Sequence, residues 1–386
     1  MLGGPVQTAG EPASAEQLAA LFRVDPTLAR GLTHGFHSYA GRMHPSTARE
    51  GVARFSHAGE RVLDPFCGSG TVLVEAMAAG RLAEGVDASP LAILIAQVRT
   101  SPLGVMGRKQ LVQTAREIAE EAAERARKRQ RPQIPSWARG ERERFFPHVA
   151  FELYGLRELI GETPEDEIGR ALRACLSSML VKFMRGGEDE GEMRRIGRGV
   201  PSHFFAARAE ELAHGLEALE RRTPARTPLP ECRLGDARAL SHLQDGRFDL
   251  VLSSPPYAGT YDYAEHHDVR FLWLGLPREK LDRVQVGSRS VGLGAARQRW
   301  IEDRRRWLAE IARVCRRGAA IILEVGDGVV ANQPEDAALA IEAEAPRLGL
   351  EPVAHASQPR PPRDMRLREI FGEQPRCEHI VLLRRV

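Results

Sequence analysis

Lysine is nearly missing from this chain of 386 residues: only four of its 55 basic residues are lysine, at 109, 128, 182 and 280. Arginine, which supplies the rest, makes planar bidentate contacts to phosphates and base edges, although GC-rich coding produces the same bias. Acidic residues number 52, leaving a formal charge of +3, which is too mild to require a polyanionic partner. Cysteine is also scarce. Cys67, Cys175, Cys232, Cys315 and Cys377 are far apart, odd in number and never form a CxxC pair, so neither a disulfide framework nor a zinc site is expected. No apolar run approaches the roughly 18 residues of a membrane span, and residues 1–16 lack the basic and apolar regions of a signal peptide. The expectation is a cytoplasmic protein with no membrane partner and no metal.

The composition, 42% hydrophobic and 28% charged, is that of a folded chain. Residues 1–33 read as a loosely held lead-in. From Arg61 short apolar runs alternate with helical patterns: RVLD, TVLVEAMAAG, LAEGVD, SPLAILIAQVRT. That alternation predicts parallel strands crossed over by helices. Residues 107–225 read as a helical insertion, with helical stretches near 109–131, 149–160, 168–184 and 204–222. Strand signals return at ECRLGD, FDLVLSS and AAIILEVGD, and end with EPVAHAS and EHIVLLRR. A Pro- and Arg-rich loop joins the last two, which predicts an antiparallel hairpin at the sheet edge. The expected fold is α/β, a doubly wound and mostly parallel sheet formed by residues 34–106 and 226–386, with an antiparallel C-terminal edge.

Two motifs stand at strand ends, the edge at which open α/β sheets bind ligands. In the first, Asp64-Pro65-Phe66-Cys67-Gly68-Ser69-Gly70-Thr71, glycines let backbone approach a ligand and the following helix start offers free N–H groups to a carboxylate. Leu73 stands where a dinucleotide fingerprint has its third glycine, which argues against a pyrophosphate ligand. Asp87 ends the next strand at the spacing of a carboxylate that meets ribose hydroxyls. A nucleoside with a carboxylate arm points to S-adenosylmethionine; the alternative is a tight turn with Asp87 capping the helix that follows. The second motif is Ser254-Pro255-Pro256-Tyr257. An exocyclic amine conjugated with its ring becomes nucleophilic when acceptors hold its N–H groups, and the Ser254 hydroxyl and Pro255 carbonyl are such acceptors. Pro255 and Pro256 fix φ and remove competing donors, and Tyr257 offers a face to a base taken out of its helix.

Together these segments resemble the amino-methyltransferases of DNA, whose cofactor motif has the form DPFxGSGT and whose catalytic motif has the form [DNS]PPY. The resemblance covers residues 36–100 and 231–386 and implies a Rossmann-like methyltransferase sheet. It also implies that Met43-His44-Pro45 closes over the methionine arm, that Asp236 approaches the adenine, and that His44 and Pro45 join the cofactor-binding set. Serine in the first catalytic position is more typical of cytosine-N4 than of adenine-N6 enzymes. Phe145-Phe146-Pro147 and the segment 177–182 are in turn similar to bacterial proteins grouped with tRNA guanine-N2 methyltransferases, which keeps RNA open as a substrate beside the favoured DNA.

For nucleic-acid contact the candidates are Tyr261 and Tyr263 after the catalytic motif, and Arg360, Arg363 and Arg366 on the loop between the last two strands. The basic run 125–131 follows glutamates 117, 120, 121 and 124, so it reads equally as a solvated helix. Trp300 and Trp307 share a helical face with Leu308 and Ile311 and read as core.

Overall fold

A computed structural model describes residues 3–139, 143–185, 196–259, 262–287, 293–361 and 365–386. The chain opens with strand β1 (Gln7–Gly10) and helix α1 (Pro12–Leu21), followed by α2 (Pro45–Phe55). The predicted α/β run follows as β2 (Arg61–Asp64), α3 (Thr71–Ala78), β3 (Leu82–Asp87) and α4 (Pro90–Thr100). Among the described residues, four α-helices come next: α5 (Gly104–Arg127), α6 (Pro147–Gly161), α7 (Glu167–Leu180) and α8 (Val200–Arg222). The remaining strands are β4 (Glu231–Leu234), β5 (Phe248–Ser253), β6 (Cys315–Gly326), β7 (Gly328–Val330), β8 (Gln333–Glu335), β9 (Leu350–Pro359) and β10 (Cys377–Arg385).

Eight strands form one sheet in the order β1-β9-β10-β6-β5-β2-β3-β4, while β7 and β8 pair separately. The pairs β4–β3, β3–β2, β2–β5 and β5–β6 are parallel, and β10 and β9 run antiparallel beside them. The α/β expectation therefore holds. Period-two alternation distributes the core. Leu63, Val251, Ile321 and Leu323 face the helix Leu293–Val314 through Trp307 and Ile311, whereas Val62, Leu250, Leu252 and Ile322 face α1 and α2. The chain leaves β2 for β3 and β4 on one side and returns to β5 on the other. That reversal opens a crevice between the C-terminal ends of β2 and β5.

One expectation is corrected at the N-terminus. The lead-in is not loosely held: β1 pairs antiparallel with β9, and Leu18 and Leu21 of α1 are fully buried against the sheet. Alanine- and glycine-rich sequence hid a strand whose residues are all exposed and so carry no alternation. The edge beyond the terminal hairpin is consequently occupied by β1. Helices α5 to α8 share a core of their own, centred on Leu111, Leu153, Leu172 and Leu216 and joined by Trp273. No helix among the described residues is long and apolar enough to cross a membrane.

Candidate active site

Strand β2 ends at Asp64, and the chain turns through Gly68 (φ +47°) and Gly70 (φ +80°) into α3. Both are left-handed conformations that L side chains adopt at a cost. Gly70 also lets α3 approach α4, because a Cβ there would stand 3.0 Å from that of Ala96. A second glycine, Gly85 of β3, makes room for Leu73, whose Cδ1 would lie 2.6 Å from a Cβ at 85. The bulk that argued against a dinucleotide is thus accommodated by the neighbouring strand.

Two carboxylates, buried Asp64 and half-buried Asp87, define this side of the crevice. Asp64 accepts hydrogen bonds from the Ser253 hydroxyl at 2.6 Å and the Phe66 N–H at 3.2 Å, which ties the end of β5 to the end of β2. Burial pushes Asp64 up to about 7 in spite of those donors. Asp87 accepts from the Gly68 N–H at 2.9 Å and the Ser89 N–H at 2.8 Å, and burial pushes it up to about 6. Both oxygens of Asp87 are fixed in place by backbone donors and keep acceptor capacity for a ligand's hydroxyls. Thr71, the first residue of α3, has a buried hydroxyl with no hydrogen-bond partner among the described residues. An orphaned hydroxyl beside the free N–H groups of a helix start suits a carboxylate. Nucleoside hydroxyls at Asp87 and an amino-acid carboxylate at α3 fit S-adenosylmethionine.

A single pocket gathers most of the candidates: Asp64, Pro65, Phe66, Gly68, Thr71, Asp87 and Asp236 face Ser254, Pro256 and Tyr263 across it. Asp236 is already gripped by Arg238, whose guanidinium reaches both carboxylate oxygens. Other candidates stand behind the wall. Ser69 accepts from buried Arg99, and Gly70 caps α3. His44 caps α2, accepting from the Ser46 N–H, with Pro45 next in that helix, so the pocket is lined by Met43 of the same segment.

The Ser254–Tyr257 loop is held from behind. Ala258 accepts from the Val329 N–H at 2.9 Å, and the Gly259 N–H donates to Gly287 at 3.0 Å. Pro255 and Tyr257 border a smaller cavity on the far side of Pro256. The Tyr257 ring lies over Gly326, where any Cβ would come within 2.5 Å of it, and its hydroxyl is hydrogen-bonded to Ser254. Burial and the carboxylates of Glu324 and Glu378 hold that phenol well above its ordinary value.

The proposed nucleic-acid residues fare differently. Tyr261 and Arg363 lie outside the described residues. Arg360 is drawn back onto Glu378 at 2.7 Å and over the Phe22 ring, while Arg366 is exposed on the short helix Met365–Phe371. The basic run behaves as a solvated helix: Arg125 pairs with Glu121, and Arg127 and Lys128 pair with Glu124. Sequence reasoning missed Tyr39, whose ring stands 3.4 Å from where a Cβ on Gly68 would lie and which stacks on His267 with ring centroids 4.5 Å apart. Arg42, another pocket residue, was missed too. The only signal for either was position, just upstream of Met43.

Residues 53–132 match the model of UPF0020, an RMKL-like methyltransferase domain. The chain is 35% identical over 79 residues to the type II methyltransferase M.MjaII of Methanocaldococcus jannaschii, a match covering 20% of this chain and 15% of that protein. It is 35% identical over 80 residues to the type II methyltransferase M.MvaI of Kocuria varians, covering 20% and 18%. The similarity thus spans less than a fifth of either relative. Among solved structures, TrmN from Thermus thermophilus aligns with a TM-score of 0.35 at 12% identity, covering 90% of this chain and 50% of that one. Residues 53–132 are thus similar to a methyltransferase domain, in the part of the chain that holds the Asp64–Thr71 turn and Asp87.

Proposed function

We propose that this protein transfers a methyl group from S-adenosylmethionine to an exocyclic amino group of a nucleobase in DNA, cytosine N4 in the first place. The observation that carries this reading is that both motif loops open onto one pocket at the crevice between β2 and β5, with Asp64, Thr71 and Asp87 on one wall and Ser254 and Pro256 on the other. S-adenosylmethionine supplies an electrophilic methyl group on a sulfonium. The α3 start and Thr71 hold its carboxylate, and Asp87 holds its ribose. Ser254 and the Pro255 carbonyl accept the N–H groups of the base amine, which turns the nitrogen lone pair toward the methyl group. Tyr257 stacks on the extruded base once its ring turns from Gly326 toward the pocket. As the nitrogen–carbon bond forms, the carbon–sulfur bond breaks, and the methylated nitrogen then loses a proton. Holding both reactants in line supplies the acceleration. Serine at position 254 supports cytosine N4, and the similarity to two type II methyltransferases supports a methyltransferase of this kind.

The test incubates the protein with labelled S-adenosylmethionine and separate pools of DNA and RNA, then digests them to nucleosides. Labelled N4-methyldeoxycytidine is the expected product. A labelled ribonucleoside would move the activity to RNA, N6-methyldeoxyadenosine would change the base, and absence of label in every pool would refute the reading. Tyr257→Ala should slow transfer by about 10- to 100-fold, because stacking on an aromatic ring is worth roughly 1–3 kcal/mol per base.

A further inference from the structure

A second cavity, of about 380 Å³, adjoins the cofactor pocket. That is room for a small ligand. Its walls come from three distant stretches: residues 38–42 ahead of α2, Arg144, Val181 and Met184 of the helical segment, and Glu265–Arg270 shortly after the catalytic motif. Tyr39, Ala40 and Arg42 line both openings, and the short helix Tyr263–His266 presents Tyr263 to the first and Glu265 and His266 to the second. The two therefore lie side by side, with Tyr39, Ala40 and Arg42 between them.

The charges here are unbalanced in one direction. Arg270 is 1% exposed, and its guanidinium donates to His267 Nδ1 at 2.8 Å, the Ser38 hydroxyl at 3.0 Å and the Ser177 carbonyl at 3.3 Å. All three acceptors are neutral, since burial and Arg270 hold His267 far below its ordinary value. Arg42 donates to the His34 and His37 carbonyls. Neither buried Arg270 nor half-buried Arg42 has an ion pair with a carboxylate among the described residues, although burying a cation without a counter-charge is costly. Of the other groups facing the cleft, Arg144 is balanced by Asp268, His266 is held below its ordinary value by burial, and exposed Glu265 is the lining carboxylate.

We propose that this cleft binds a phosphodiester of the nucleic-acid strand next to the target nucleotide, with Arg270 and Arg42 supplying its counter-charge. The proposal rests on the methyltransferase reading above. It gives the helical segment a role: α6 and α7 flank the residues that complete a strand-binding cleft whose other wall follows the catalytic loop.

The experiment measures binding of a fluorescent 20-nucleotide oligodeoxynucleotide by anisotropy at several salt concentrations, with S-adenosylmethionine affinity as the control for folding. Arg270→Gln should weaken binding about tenfold at low salt and flatten the log–log salt dependence by roughly 0.7 for a single strand or 0.9 for a duplex, the loss of one phosphate contact. Glu265→Gln removes the opposing charge and should tighten binding about threefold. Wild-type affinity and salt slope in both variants, in protein that still binds cofactor and methylates DNA, would overturn the cleft while leaving the activity standing. If Arg270→Gln loses cofactor binding, the exposed Glu265→Gln variant decides. Wild-type protein that neither binds nor methylates any nucleic acid would overturn both proposals.

Discussion

The cofactor pocket and the adjoining cleft are built alike and charged oppositely. In the pocket, burial raises Asp64 to about 7 and Asp87 to about 6. In the cleft, burial lowers Arg42 and brings Arg270 down to about 10. Each opening holds ionisable groups that hydrogen-bond mainly to neutral partners, which is the ground for proposing hydroxyl donors and a sulfonium as the ligand of one and a phosphate as the ligand of the other. Polarity of the unmet charge, more than the shape of the opening, separates the two.

The largest expected effect breaks that symmetry. Asp87→Ala should weaken S-adenosylmethionine binding about 100-fold, the loss of roughly 3 kcal/mol of hydrogen bonding to a charged acceptor, and leave oligonucleotide affinity intact. Calorimetric titration checks the first and anisotropy the second; Arg270→Gln should show the reverse pattern. The pH profile sharpens the contrast. Asp87 is ionised above about 6, so cofactor affinity should fall as pH drops through 6, when the carboxylate gains a proton and loses an acceptor. Affinity that is flat from pH 5 to 8 would sink the assignment.

A smaller effect is expected from Gly70→Ala. Its φ of +80° and the nearness of Ala96 should cost about 1–2 kcal/mol of stability, read by urea denaturation. Smallest is Glu324→Gln, which asks whether an unmet buried charge always marks a ligand. Glu324 lies on β6 with one buried carboxylate oxygen that has no hydrogen-bond partner among the described residues, and burial, then Glu378, push it up to about 8 against the pull of Arg360. A carboxyl whose folded value exceeds its unfolded one makes the folded state hold the proton, so wild-type stability declines as pH rises from about 4.5 to 8. Glutamine carries no such dependence. Its melting-temperature difference from wild type should move in its favour across that window, and a difference independent of pH would count against the assignment.

Much of the cofactor side was legible because its parts are contiguous. Asp64 through Thr71 is one turn, and Asp87 follows one helix and one strand later, so local spacing reports their proximity. Ser254 to Tyr257 was legible for the same reason. The cleft was not: Arg42, Arg144 and Arg270 are separated by more than a hundred residues each and have no common spacing. Densities of charge misled in the opposite sense. The run 125–131 is the richest in basic residues, yet the glutamates one turn earlier pair with Arg125, Arg127 and Lys128. Arg360 was placed on the correct side of the sheet, but Glu378 across the strand pair claims it.

By itself the sequence determined the alternation of strands and helices and the two motif turns. These depend on residues within a turn or two of one another, where backbone geometry fixes who meets whom. Only the tertiary structure decided that the N-terminal segment adds a strand beside β9, and that the two motifs share one pocket. It alone showed which arginines stay uncompensated. Pairing of charges depends on contacts between segments far apart in the chain, and a carboxylate across a strand or a helix leaves no trace in the spacing of the arginine it neutralises.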